Sequence, residues 1–185
     1  MNNNLIRFID FIMAMSLFII LFPMLILIFL LCFLDTTKPI FMQTRIGKNS
    51  EEFSLYKFRS MKTGTPNLPT HLVSTNNITR FGKFLRSSKL DELPQLINVI
   101  IGNMSFVGPR PCLPSQKDLI EKRKTESLDK IRPGITGIAQ INNIDMSDIN
   151  LLIETEKKMQ EKINLRGYFE IIFKTIFILL SKLIH

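Results

Sequence analysis

Two adjacent carboxylates, Asp91 and Glu92, are the residues best placed for chemistry, because they follow a basic stretch that contains Arg86 and Lys89. In the plainer interpretation they begin a helix, where Asp91 accepts a backbone amide hydrogen bond and Glu92 favours the positive end of the dipole. In the alternative, the helix N-terminus and both cations attract a phosphate and keep Asp91 ionised. An ionised aspartate can attack phosphorus, and a neighbouring glutamate can hold Mg²⁺ against a leaving diphosphate. The residues alone leave both interpretations open.

A second candidate is Arg110, which stands between Pro109 and Pro111 in a segment rich in glycine and proline. The two prolines restrict the backbone on either side and hold the guanidinium in a rigid loop. A planar, permanently charged fork suits bidentate phosphate binding. An exposed loop arginine without a ligand is the alternative interpretation of this segment.

Several common catalytic and binding motifs are absent from the sequence. It contains no GxxxxGK[ST] phosphate loop, no GxGxxG motif, no HExxH motif and no CxxC pair. Its two histidines are too few for a histidine metal cluster, and Cys32 and Cys112 are too few for a disulfide framework. The candidates for catalysis are therefore carboxylates, arginines and backbone amides, in a reduced protein that faces the cytosol.

The elements that must position these residues follow from pattern and turn chemistry. Residues 39–61 predict a β-hairpin with its turn at Gly47–Ser50, and residues 62–78 predict an exposed loop. Helices are predicted at about 79–87, 91–101 and 115–127 and from about 150 onward, with loops at 102–114 and 132–143. In the second helix the predicted apolar face consists of Leu93, Leu96, Ile97 and Ile100.

An apolar run of 24 residues without a charge separates Asp10 from Asp35. As a helix it would be about 36 Å long, enough to cross a bilayer core. A cleaved signal peptide fits poorly, because the run is too long and no small-residue cleavage site follows it. Pro23 predicts a kink or break, which allows either a tilted span or a re-entrant hairpin. In both cases positively charged flanks predict that the remainder is cytoplasmic.

The formal net charge of +8 is concentrated before the carboxylate pair. From Lys38 to Lys89 ten Lys or Arg residues face only two acidic residues. A solvated basic face is one explanation, but its proximity to an apolar segment favours lipid headgroups or a phosphorylated lipid and its co-substrate. Nucleic acid is not expected, because Phe81 and Phe84 lie among the cations but flank Gly82 at apolar positions that are more often core than stacking residues. The C-terminal segment 168–184 suits either a membrane surface or a core helix.

Six ordered segments of this sequence resemble the bacterial sugar transferase family of small monotopic phosphoglycosyl transferases. They are residues 41–47 (FMQTRIG), 56–61 (YKFRSM), 79–86 (TRFGKFLR), 90–96 (LDELPQL), 104–111 (MSFVGPRP) and 132–137 (RPGITG). The resemblance implies an α+β, mainly helical fold with a short β-hairpin and amphipathic interfacial helices. It implies a re-entrant membrane helix in residues 1–37, broken near Pro23, and a cytoplasmic catalytic domain in residues 38–185. The expected location is the cytoplasmic face of the bacterial inner membrane.

The resemblance also implies a two-step reaction. Asp91 would attack the sugar-bearing phosphate of a UDP-sugar and release UMP. A polyprenol phosphate, expected to be undecaprenyl phosphate, would then take the phosphosugar. Glu92 would coordinate Mg²⁺ as a metal ligand. The residues that it implies for substrate binding are Lys57, Arg59, Arg86, Pro109, Arg110 and Pro111.

The sequence departs from the family pattern at three places: Phe22 precedes Pro23, and residues 138–143 and 154–168 differ from the usual segments. Residues 109–116 (PRPCLPSQ) are similar to a subgroup that acts on N-acetylated deoxyamino sugars. Two alternatives to this function are a non-catalytic, membrane-anchored adaptor that binds anionic lipid and a glycosyltransferase that releases UDP. The absence of an Asp-x-Asp metal motif argues against the second.

Overall fold

The longest element is the helix α1 (Asn3–Thr36), whose 34 residues begin the fold in the computed structural model, which describes residues 3–65 and 77–184. The other elements follow in chain order: β1 (Ile40–Ile46), β2 (Glu52–Phe58), α2 (Arg80–Ser87), α3 (Gln95–Ile101), β3 (Ser105–Val107), α4 (Lys117–Thr125), β4 (Gly134–Thr136), α5 (Ile138–Ile141), α6 (Ile149–Lys162) and α7 (Leu165–Ile184). The predicted α+β, mainly helical class with a short hairpin and an apolar N-terminal helix is confirmed. The predicted loop at 62–78 lies largely outside the described residues.

Strands β1 and β2 form the predicted antiparallel hairpin, with Ile40 opposite Phe58 and Ile46 opposite Glu52. Asn49 and Ser50 adopt left-handed backbone conformations in the connecting 3₁₀ turn, which lets the chain reverse over few residues. The hairpin is joined to the rest of the domain at its turn end, where the Ile46 amide donates to the Cys112 carbonyl at 2.9 Å.

A second sheet was not predicted, because the segments at 102–114 and 132–143 were expected to be loops. Strands β3 and β4 pair in parallel, with Ser105 opposite Gly134 and Val107 opposite Thr136. Three residues are too few for an alternating pattern to be visible in the sequence. Glycines permit the close approach: a Cβ on Gly108 would lie 2.2 Å from the Arg132 carbonyl oxygen. The pair fixes the start of the loop that carries Pro109–Pro111.

Helix α3 begins four residues later than predicted, and its buried face is different. A separate 3₁₀ turn, Leu90–Glu92, holds the two carboxylates, and α3 starts at Gln95. Its buried residues are Gln95, Leu96, Asn98 and Val99, whereas Ile97, predicted on the apolar face, is exposed. Asn98 is buried because its amide bonds β2, accepting from the Tyr56 amide and donating to the Ser54 carbonyl.

Helix α1 packs along the domain on one face and is exposed on the other. Only 17% of the most apolar stretch of α1 is buried, whereas a core helix of a soluble protein is mostly buried. By length and composition α1 could cross a membrane. Exposed apolar side chains run along it from Phe8 to Leu34. The helix continues through Pro23 without a non-helical residue, so the break expected there does not divide it. The re-entrant arrangement in a membrane remains a prediction.

Both ends of α1 are fastened to the same domain by polar contacts. Near its start, Asp10 is 1% exposed, and its Oδ1 accepts from Ser105 Oγ at 3.1 Å, the Phe106 amide at 3.0 Å and Tyr168 Oη at 2.5 Å. At its end, Asp35 Oδ2 accepts from Thr79 Oγ1 at 2.5 Å. Asp10 thereby joins α1, β3 and α7 at a single oxygen atom.

The C-terminal helix α7 combines the two roles that its sequence allowed. Tyr168 and Ile171 are buried in the main core, while Phe173 and Phe177 are exposed. The helix is therefore partly a core element and partly an apolar surface.

We expect the Asp10→Asn variant to lower the free energy of unfolding by about 2 kcal/mol, because hydrogen bonds to a buried charged group contribute about 1.5–3 kcal/mol. The measurement is denaturation of the protein in detergent or nanodiscs. Asp35→Asn is the matched control, since it makes the same change at the exposed end of α1 and should cost less. Equal losses from both variants would contradict the role assigned to Asp10.

Candidate active site

Asp91 lies in the 3₁₀ turn that precedes α3, and it does not cap a helix. Neither the turn nor α3 has a side-chain cap, so the helix-start interpretation of this residue is wrong. Lys89 enters the turn in a left-handed conformation with φ of 59°, which directs the chain inward. Asp91 is 7% exposed, and its buried Oδ1 has no hydrogen-bond partner. A buried acceptor without a donor is costly and calls for a functional explanation.

The charge state of Asp91 is set by opposing influences. Burial raises its pKa most strongly, Lys57, Lys89 and Arg86 lower it, and Glu92 raises it further. The balance is a pKa above the ordinary value for aspartate. The cations expected to keep this carboxyl ionised are thus present, but they oppose the desolvation only in part.

Glu92 forms an ion pair with Lys57, whose Nζ lies 2.8 Å from Oε1. Burial alone would raise the pKa of Glu92, but the charge and hydrogen bond of Lys57, together with Arg110 and Lys89, lower it. The two neighbouring carboxyls therefore differ, since one is stabilised as an anion by a direct partner and the other is not. Environments that separate two carboxyl pKa values are typical of groups with different chemical roles.

A small cleft opens beside Glu92, with an empty volume of about 330 Å³ including its open mouth. Its lining residues come from the hairpin, α3 and the two loops around β3 and β4: Arg45, Leu55, Lys57, Glu92, Gln95, Arg110, Pro111, Gly134, Ile135 and Gln140. Three cations face one carboxylate in this lining, so the cleft suits an anionic ligand.

Among the substrate-binding residues implied by the sequence, Lys57, Arg110 and Pro111 line this cleft. Pro109 faces the neighbouring cavity instead, beside Arg123 and Cys112. The backbone of the loop is held from behind, because Arg123 Nη2 donates to the Arg110 carbonyl at 3.0 Å.

Arg86 acts on the charge of Asp91 but does not line the cleft. Its Nε donates to Ser60 Oγ at 2.8 Å, and its charge is among those that lower the pKa of Asp91. Gly82 makes this placement possible, since a Cβ there would lie 2.0 Å from the Ser60 carbonyl oxygen. The carboxylates are therefore influenced both by cations of the cleft lining and by Arg86 outside it.

Arg59 is placed differently from the other predicted residues. Its Nε donates to the Lys38 carbonyl at 2.8 Å, its Nη2 donates to the Ile40 carbonyl at 3.3 Å, and its guanidinium lies 5.3 Å from the centre of the Phe41 ring. These contacts fasten the start of β1, and Arg59 is not among the residues that line the cleft.

Sequence reasoning assigned no role to Arg45 or Gln140, although both line the cleft. Each has a buried polar atom without a partner, Nε of Arg45 and Oε1 of Gln140. Alternation along the hairpin was the signal that could have found Arg45. It lies opposite Phe53, and Lys57 lies opposite Phe41, so both cations fall on the same face of the sheet.

Within residues 3–65 and 77–184, no group of three or more His, Cys, Asp and Glu side chains is arranged to hold a metal ion. Mg²⁺ does not require such a cage, because it is commonly held by one or two carboxylates together with substrate phosphates. Glu92, with Asp91 beside it, provides that kind of donor set.

Comparison with known proteins matches the chain to one protein family and to individual relatives. The model of the family described as bacterial sugar transferase matches residues 1–182. The chain is 36% identical over 190 residues to a UDP-glucose:undecaprenyl-phosphate glucose-1-phosphate transferase of Klebsiella pneumoniae, which covers 95% of this chain and 40% of that protein. It is 37% identical over 166 residues to the Escherichia coli K12 protein of the same name, covering 86% of this chain and 35% of the relative.

A shorter relative is the exopolysaccharide production protein PSS of Rhizobium leguminosarum bv. phaseoli. The two are 39% identical over 153 residues, which cover 78% of this chain and 76% of that protein. The chain thus spans about 40% of the length of the Klebsiella relative and most of the Rhizobium one.

Proposed function

Since the chain belongs to the bacterial sugar transferase family, we propose that it transfers a sugar 1-phosphate from a UDP-sugar to undecaprenyl phosphate and releases UMP. The observation that carries the proposal is the unpaired, buried Oδ1 of Asp91, whose neighbour Glu92 lines a cleft together with three cations. The names of the Klebsiella and Escherichia relatives describe the same class of transfer. Such a reaction would supply the first lipid-linked sugar for surface-glycan synthesis.

In the first step Asp91 Oδ1 attacks the phosphorus atom that bears the sugar. A new P–O bond forms to the carboxylate, the P–O bond to UMP breaks, and its electron pair leaves on the UMP phosphate. In the second step an oxygen of undecaprenyl phosphate attacks the same phosphorus atom. The bond to Asp91 breaks, which regenerates the carboxylate and leaves a polyprenyl diphosphate sugar.

The cations around Asp91 support this chemistry. A carboxylate and a diphosphate repel each other, and Lys57, Arg86 and Lys89 reduce that repulsion at the attacking group. Burial leaves Oδ1 without competing hydrogen-bond donors, so its lone pairs remain available for bond formation. Mg²⁺, held by Glu92 and substrate phosphates, would add positive charge where the leaving UMP develops negative charge.

The proposed seat is shallow in the cytoplasmic face of the inner membrane. Asp10 and Asp35 are about 37 Å apart along a straight helix, more than the hydrocarbon core of a bilayer, yet both bond the same domain. A helix that crossed the bilayer would separate these two contacts. Because α1 is continuous through Pro23, their coexistence supports a helix whose two ends stay on the same side of the membrane.

Cysteine labelling tests the proposed seat. Asn4→Cys and Lys38→Cys place exposed thiols at the two ends of α1, while the native Cys32 and Cys112 are buried. We expect a membrane-impermeant maleimide to label neither variant in intact cells and both after the membrane is opened. Labelling of Asn4→Cys alone in intact cells would indicate a full span.

The sequence and the named relatives point to different donor sugars. The form of residues 109–116 favours an N-acetylated deoxyamino sugar, whereas the Klebsiella and Escherichia relatives are named for glucose. The donor panel must therefore contain both kinds of UDP-sugar.

The deciding experiment measures nucleotide release by the purified protein in nanodiscs, with Mg²⁺, undecaprenyl phosphate and the donor panel. We expect UMP with one donor and no UMP without the metal. Release of UDP would indicate glycosyl transfer without the phosphate. Lipid binding without nucleotide release across the panel would favour the adaptor interpretation.

A further inference from the structure

Arg45 is a partly buried cation without an anionic partner. Its Nη2 donates to Gln43 Oε1 at 2.7 Å and its Nη1 donates to the Pro111 carbonyl at 3.2 Å, both neutral acceptors. Its Nε is buried and unbonded, and among the described residues no carboxylate lies within 4 Å of the guanidinium. A buried charge is normally paired, because the cost of removing it from water is otherwise uncompensated.

The positive charge of Arg110 near Arg45 favours the binding of an anion at this site. Burial and then the positive charge of Arg110 lower its pKa, Cys112 and Glu92 oppose them in part, and the balance is a pKa of about 10. The side chain still carries its full charge at neutral pH, so two guanidinium groups repel each other across the cleft. Glu92 is the carboxylate in the cleft lining, and it already pairs with Lys57.

The position of Arg45 points to the nucleotide phosphate in particular. Its bond to the Pro111 carbonyl ties it to the loop that carries Arg110, on the Glu92 side of the carboxylate pair. Arg86 lies by Asp91, outside the cleft lining. A phosphate bound between Arg45 and Arg110 would be adjacent to the reacting phosphorus and on the leaving side.

We propose that Arg45 is a substrate-binding residue whose guanidinium, with that of Arg110, binds the uridine-linked phosphate of the donor and of the UMP product. This inference rests on the proposed function for the identity of the ligand. The fixed hairpin position and the two neutral anchors orient the fork, and the unbonded Nε–H is the donor that remains for the phosphate.

Equilibrium binding to the full chain in nanodiscs tests the inference without turnover. The probes are pyrophosphate, UMP, uridine and undecaprenyl phosphate, and the proteins are wild type, Arg45→Lys and Arg45→Gln. Arg166→Lys is the matched control, because it makes the same substitution at an exposed arginine on α7. Thermal unfolding without ligand shows which variants are folded, and either folded Arg45 variant is sufficient.

We expect Arg45→Lys to weaken UMP and pyrophosphate binding about tenfold or more, since lysine lacks the planar fork. Uridine and undecaprenyl phosphate should bind as to wild type, and Arg166→Lys should change nothing. Unchanged UMP affinity would overturn the inference, and weakened binding of the lipid phosphate alone would overturn the assignment to the nucleotide.

The outcomes also separate this inference from the proposed function. If wild type releases UMP from a donor while Arg45 variants bind UMP normally, the transferase reaction is supported and the proposed role of Arg45 is contradicted. If Arg45 variants lose pyrophosphate and UMP binding but wild type releases no UMP, the anion site stands and the reaction falls.

Discussion

The Asp91→Asn variant is expected to lose nucleotide release by about 10³-fold or more, because asparagine cannot form the covalent bond to phosphorus. The substitution keeps the size of the side chain and removes a buried carboxyl whose pKa is raised mainly by burial. Folding should therefore be preserved or slightly improved. The measurement is UMP release in parallel with intact mass after donor addition, which reports the phosphosugar on the wild-type chain.

Asp118→Asn is the matched control, since Asp118 is exposed in the first turn of α4, away from the cleft. It should release UMP at the wild-type rate. Retention of more than a tenth of the wild-type rate by Asp91→Asn, in folded protein, would contradict the nucleophilic role.

The second large effect concerns a buried ion pair that supports the arginine loop. Arg123 and Glu156 are 8% and 1% exposed in their side chains and are joined by hydrogen bonds of 2.9 and 2.6 Å. Arg123→Met leaves a buried carboxylate without its cation and removes the donor to the Arg110 carbonyl. We expect a loss of about 3–5 kcal/mol in the free energy of unfolding, measured by chemical denaturation.

The double variant Arg123→Met/Glu156→Leu should recover much of this stability, because it removes the unpaired charge. Catalysis should not recover with it, since the Arg110 carbonyl still lacks its donor. The control is Lys157→Met, which breaks an exposed pair with Glu126 and should cost far less, because solvent screens that pair. A similar loss from both single variants would show that burial does not distinguish the two pairs.

The sequence predicts the parts of this fold whose signal is local. The hairpin follows from strand-forming runs on either side of Gly47, and α2 and α4 follow from their composition and flanking residues. Strands β3 and β4 were missed because their pairing is parallel and joins Ser105 to Gly134 through a long connection. Only the glycines at 108 and 134 hinted that two backbones approach closely.

The sequence predicted several charged residues that the fold brings together, and it missed others that only the fold places at the cleft; the roles of all of them stay predictions. Asp91, Glu92, Lys57 and Arg110 lie together, as the sequence suggested. The misleading feature was a helix-start pattern at Asp91, because Lys89 turns the chain through a left-handed conformation before α3 begins.

Arg45 was not predicted as a site residue but lines the cleft, whereas Arg59 was predicted and does not line it. Both are arginines of the hairpin, and only the fold shows that the first turns inward while the second bonds the backbone of β1. Amino-acid type alone cannot distinguish Arg59, whose guanidinium donates to backbone carbonyls, from Arg45, whose guanidinium has no anionic partner.

The bond between Tyr168 and Asp10 spans 158 positions of the chain, which has a consequence for biogenesis. Asp10 leaves the ribosome 158 residues before Tyr168, the last of its three hydrogen-bond partners to be synthesised. Until α7 arrives, an apolar helix carries a carboxylate with unsatisfied acceptor capacity, and such long-range closures are slow and exposed to aggregation. Shelter for α1, in a chaperone or at the bilayer surface, therefore has to last until α7 has been synthesised.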